Sequence, residues 1–123
     1  MTQEIFHQWL ESYVRRQEQR DATVVRELFA ENGVYWWGPF CPPRHGVEAI
    51  YEHHRNALSH QTDINYEYKI LATTKECGVA RFQLTLYEHM PGEPNTYDGV
   101  FVVQLNEEGK CTLFEEWYHS TTS

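Results

Sequence analysis

The chain has 123 residues, of which 41% are hydrophobic and 23% charged, enough for one domain (1–123) with one core and too few for two. A net charge of −8 with pI near 5.3 repels polyphosphate partners and argues against nucleic-acid binding. No apolar window of about 18 residues is present to span a membrane, and MTQEIFHQWLESYVRR lacks the basic and apolar runs of a secretory signal, so a cytoplasmic location is expected.

Residues 3–19 are predicted to form a helix, with Ile5, Phe6, Trp9, Leu10, Tyr13 and Val14 as one apolar stripe and Thr2 as its cap. Asp21 reads as a second N-cap, opening a helix through Ala30 that Asn32-Gly33 breaks. Residues 34–37 form a short aromatic strand in which Tyr35 and Trp37 face one side and Trp36 the other. The stretch GPFCPPRHG at 38–46 reads as a loop, because its prolines and glycines oppose regular structure. A third helix covers 47–58, with Val47, Ile50, Tyr51, His54 and Leu58 on its apolar face.

Everything after that helix reads as strand. Residues 63–73 alternate, with Ile64, Tyr66, Tyr68 and Ile70 on one face. Residues 78–89 alternate as well, Ala80, Phe82, Leu84 and Leu86 opposing Arg81, Gln83, Thr85 and Tyr87. A hairpin loop at 89–95 leads into strands at 97–105 and 111–119. The order α-α-β-α-β-β-β-β, with helices segregated from a run of antiparallel strands, defines an α+β class: a curved sheet packed by three helices on its concave side. Three cysteines at wide spacing (Cys41, Cys77, Cys111) suit free thiols and give no zinc motif.

Three segments in this order, RDATVVRELFAENGVYWWGPF, HGVEAIYEHHRNAL and YDGVFVVQLNEEGKCTLFEEWYH, carry a resemblance to the cone-shaped fold of nuclear transport factor 2. The chain looks like the SnoaL-like and ketosteroid-isomerase-like branch of that superfamily. The resemblance implies a pocket inside the cone, lined by the first helix, first strand, third helix and concave sheet face, that holds a small apolar molecule. Tyr13 falls where the steroid isomerases keep their oxyanion-hole tyrosine. Trp37, or Gly38 with a one-residue shift, falls where they keep an aspartate base, and Phe101 where they keep a protonated acid. Neither Trp nor Gly abstracts a proton and Phe donates no hydrogen bond, so standard ketosteroid isomerisation is not expected. The epoxide hydrolases of this fold keep a catalytic acid near Glu116. Arg81 and Gln83, the nearest candidates for their other polar groups, alternate onto the convex face.

Alternation places Glu116 and Tyr118 inward with Phe101 and Phe114, and Asp98, Glu115, Trp117 and His119 outward. Together with the resemblance, which supplies Tyr13 and the pocket position of His54, this gives Glu116, His54 and Tyr13 as the candidate catalytic residues, with Glu116 and His54 as a proton-transfer pair across the cavity. The candidate ligand-binding residues are Tyr35, Trp37, His53, Phe82, Phe101, Phe114 and Tyr118. His53, His54 and His60 lack metal-ligand spacing, and no metal or cofactor is expected. Three readings stay open: an acid–base enzyme acting on a cyclic or polyketide-like molecule, a non-catalytic binder, and an assembly domain whose cone is plugged by Trp37, Phe82 and Phe101. Val100, Val102, Leu113 and Trp117 form an apolar outer sheet face, from which a homodimer is expected.

Overall fold

The computed structural model describes residues 1–88 and 92–121. Helix α1 spans Gln3–Glu18 and buries Phe6, Trp9, Leu10, Tyr13, Val14 and Gln17 along one stripe. Thr2 caps it, its Oγ1 accepting from the Ile5 N–H at 3.1 Å. Ile5 departs from the expected stripe and stays 49% exposed. The helix ends in a Schellman motif: Asp21 N–H donates to Arg16 O and Arg20 N–H to Gln17 O, both at 2.9 Å, with Arg20 at φ 60°.

The second helix is shorter than the sequence suggests. α2 covers Val24–Leu28, and Phe29–Trp36 is strand β1. Asp21 caps the turn before α2, its Oδ1 accepting from the Thr23 N–H. Phe29 and Ala30 leave the helix because β1 pairs in parallel with the last strand, Phe29 opposite Cys111 and Tyr35 opposite Phe114. Asn32-Gly33 therefore lies within β1, where the register shifts between Phe29 and Val34, and is not a helix stop. The proline-rich loop also holds a two-residue strand, β2 (Arg44–His45), paired with Val34 and Tyr35.

α3 spans Val47–Leu58 as expected and buries Ile50, His54 and Leu58. Then follow β3 (Gln61–Thr73), β4 (Cys77–Glu88), β5 (Asn95–Leu105) and β6 (Cys111–Ser120). Residues 89–91 of the expected hairpin loop lie outside the described residues. The sheet order is β2-β1-β6-β5-β4-β3, antiparallel except for the β1–β6 pair. Register shifts in β1, β3 and at the end of β5 bend this mixed sheet into an open cone. α1 packs on β3, α3 packs on β1, and α2 bridges the two helices.

Two glycines permit the close approaches that the bend needs. A Cβ at Gly99 would lie 1.9 Å from Trp117 O, and one at Gly78 would lie 2.5 Å from the Phe6 ring. The core between helices and sheet is aromatic. Phe82 stacks on Phe101 with ring centroids 4.0 Å apart, and Phe101 and Phe114 meet at 5.0 Å. Each such fully buried Phe contributes roughly 1.5–3 kcal/mol of transfer free energy.

Candidate functional site

Above the aromatic core a cavity of ≈ 210 Å³ stays open between α1, α3, β1 and the inner face of β3–β6. Of the residues nominated from the sequence, Tyr13, Tyr35, Trp37, His53, His54, Phe82, Glu116 and Tyr118 line it. Phe101 and Phe114 do not. They are 0% exposed and form the layer beneath, against Tyr13, because alternation assigns a side chain to a face but not to a depth. Of the three bulky residues expected inside the cone, Trp37 and Phe82 line the cavity and Phe101 packs beneath it.

The parallel pairing of β1 with β6 sets Tyr35 opposite Phe114, close to Glu116 on the same inner face. The Tyr35 hydroxyl donates to Glu116 Oε1 at 3.0 Å. Part of Glu116 remains accessible in the cavity wall, yet its surroundings are mostly aromatic. Burial pushes its carboxyl up to about 7, against the pull of the Tyr35 hydrogen bond. Burial beside the Glu116 charge drives Tyr35 well above the ordinary phenol range, so Tyr35 remains a donor.

His54 takes a different place from the one expected. Its Nδ1–H donates to Ile50 O at 2.8 Å, which fixes the tautomer and leaves Nε2 to accept from the Tyr13 hydroxyl, also at 2.8 Å. Both ring nitrogens are therefore engaged away from Glu116, and the expected His54–Glu116 pair does not form. The physical reason lies in the helix: a histidine one turn after Ile50 satisfies the carbonyl of its own α3, and α1 delivers Tyr13 to the other nitrogen. Burial draws His54 down to about 3, so it is neutral at physiological pH. His53, nearer the mouth, is drawn down to about 4 by burial and then by Arg44. It packs against Trp37 with centroids 4.4 Å apart, and the Arg44 guanidinium covers the Trp37 ring at 4.6 Å.

The cavity also gathers residues the sequence reading did not nominate, among them Gln17, Tyr66, Leu84, Leu86, Glu88 and Tyr97. Tyr66, Leu84 and Leu86 were already on the inner faces by alternation. Gln17 stands four positions after Tyr13, on the same face of α1. At the rim, Tyr97 donates to Glu88 Oε1 at 2.6 Å. A larger hollow of ≈ 580 Å³ lies near Met1, Lys75 and Gly109, but its carboxylates Glu76 and Glu107 are exposed and no buried acid or histidine lines it. Among the described residues no three His, Cys, Asp or Glu side chains gather to hold a metal ion, and no helix is long and apolar enough to cross a membrane.

Three helices on an open, mixed six-stranded sheet define an α+β cone-like fold. The model of the SnoaL-like domain matches residues 10–114, and the chain belongs to that family. Among solved structures it is similar to the epoxide hydrolase/cyclase-like enzyme SalBIII, described for pyran ring formation in the polyether salinomycin. That likeness has a TM-score of 0.80 at 17% identity, over 92% of this chain and 89% of that one. It is also similar to a ketosteroid isomerase-like protein from Erwinia carotovora atroseptica SCRI1043, with TM-score 0.74 and 17% identity over 100% of both chains. At such identities the likeness establishes the fold. No curated protein matches the sequence.

Proposed function

We propose that the protein binds a small, largely apolar single-ring molecule in the cone and performs acid–base chemistry on it through Glu116. The observation that carries this reading is the Glu116 carboxyl set in the wall of a ≈ 210 Å³ cavity and held by the Tyr35 hydroxyl at 3.0 Å, where burial pushes it up to about 7. Near neutral pH such a group is populated in both forms, so it can give or take a proton. Size supports the ring count. An apolar cavity of about 150 Å³ holds benzene, and pockets for drug-sized ligands run to about 300–1,000 Å³. Tyr35 is the orienting donor to Glu116, and Tyr13 with His54 stiffens the opposite wall.

The test is a panel of single-ring epoxides, enones and cyclic ketones incubated with the protein in D2O, read by NMR for hydrolysis, isomerisation and α-deuteration. Turnover of at least one probe is expected, with a rate governed by a group near pH 7 and cut about tenfold or more by Glu116→Gln. Binding without turnover across the panel would reject the enzyme and leave a ligand carrier. That second reading is favoured by one feature: His54 is occupied on both nitrogens, so Glu116 has no partner base there.

We also propose that a second copy of the chain packs on the outer sheet face. Trp117 is 39% exposed there, in register with Val100. Light scattering that gave only a mass near 14.6 kDa would reject the dimer.

A further inference from the structure

Gln17 is 5% exposed, lines the cavity, and its Nε2 has no hydrogen-bond partner among the described residues. A buried amide donor left unpaired is costly, and native structures rarely keep one without a use. Its backbone is held firmly, since Gln17 O accepts from Arg20 N–H in the Schellman turn that closes α1. Tyr13, one turn earlier on the same helix face, has its hydroxyl committed to His54. Tyr35 is likewise committed to Glu116. In this wall the Gln17 amide is a donor without such a commitment.

We propose that Gln17 determines ligand specificity by donating from Nε2 to an acceptor oxygen of the bound ring, so that the cavity selects an oxygenated ring, a carbonyl or cyclic ether, over a hydrocarbon of the same shape. This inference rests on the pocket reading above and extends it from ligand size to ligand chemistry. A bound hydrocarbon would displace water from the cavity and leave the amide unpaired. A ring oxygen satisfies it, and the discrimination comes from that difference.

The experiment uses the whole chain and two probes matched in shape, acetophenone and α-methylstyrene, which differ in C=O against C=CH2. Binding is followed by the NMR shift of the Trp37 indole for the native protein and for Gln17→Met, which keeps length and removes the amide with both its donor and its acceptor. The native protein is expected to favour acetophenone roughly three- to tenfold, and Gln17→Met to lose that preference. In the absence of probe, Gln17→Met is expected to melt about 2–8 °C higher, because it removes an unsatisfied buried donor. A purely structural Gln17 would give a lower melting temperature in the variant, and that result would overturn the proposal. So would equal affinities in the native protein, or a preference that survives in Gln17→Met; either would leave the pocket reading standing. Failure of both probes to bind would instead remove the pocket reading and this inference with it.

Discussion

Tyr35 donates its hydroxyl hydrogen to Glu116 Oε1 at 3.0 Å, joining the first strand of the chain to the last across the parallel seam of the sheet. Burial and this hydrogen bond act on the carboxyl in opposite directions: burial raises its pKa and the bond holds it down. Removing the bond should therefore move the group further from the ordinary carboxylate range. In Tyr35→Phe the Glu116 carboxyl is expected to titrate above its native value of about 7, as read by carbon NMR of the side chain. A value that fell toward 4.5 would mean that water enters the site when the hydroxyl leaves, and that the seam does not keep Glu116 dry.

The same carboxyl and the two cavity histidines set a pH dependence of stability. His54 and His53 have folded values of about 3 and about 4, against 6.5 for an unperturbed histidine. Their contribution is complete above 6.5 and is lost as pH falls toward the folded values. Glu116 has the opposite sign. Its raised value favours the folded state below 4.5, and that advantage disappears as pH rises through about 7. Where the windows overlap, two histidines outweigh one carboxyl. Urea unfolding should give stability that rises from pH 5 and peaks near neutrality. Glu116→Gln should gain on the native protein between pH 5 and 8 by at most on the order of 3 kcal/mol, then keep a constant lead. A constant difference across the whole range would show that Glu116 is not perturbed.

Gly99 faces Tyr118 across the β5–β6 pair, where a Cβ would lie 1.9 Å from Trp117 O. Backbone atoms of a central strand pair cannot yield as a flexible side chain does. Gly99→Ala is expected to cost more than about 3 kcal/mol and to lower the melting temperature by about 10 °C or more. A neutral effect would show that the two strands separate more readily than the sheet geometry implies.

What was legible in the sequence follows from how local its cause is. The stripe of α1, the apolar face of α3 and the alternation of β3–β6 are periodic patterns, and the structure reproduces them. The fate of Phe29 and Ala30 was not legible, because their strand conformation depends on Cys111 some eighty residues away. Arg44–His45 escaped for the same reason, since a two-residue strand exists only through its partner β1. At the site, alternation placed Glu116 and Tyr118 on the inner face. It could not reveal that His54 spends its ring nitrogens on Ile50 and Tyr13, a matter of rotamer and helix docking. Gln17 was not singled out from the sequence, because a glutamine near the end of an amphipathic helix reads as part of its polar side until the cavity in front of it is seen.

Phe82 separates the cavity from the core, which makes it the residue through which ligand size is set. It is 2% exposed, stacks on Phe101 at 4.0 Å and forms part of the cavity wall. Truncation to alanine removes the ring from both environments at once. Phe82→Ala is expected to destabilise the fold by about 3–5 kcal/mol, because the stacked partner Phe101 loses its contact surface. The variant should also accept rings larger than those the native protein takes, since the volume released joins the existing ≈ 210 Å³. Two measurements check this together: a urea melt for the loss of stability, and NMR titration with one- and two-ring ketones for the change in size limit. If two-ring ketones bind the native protein as tightly as they bind Phe82→Ala, Phe82 does not bound the ligand, and the single-ring limit drawn from the cavity volume is wrong.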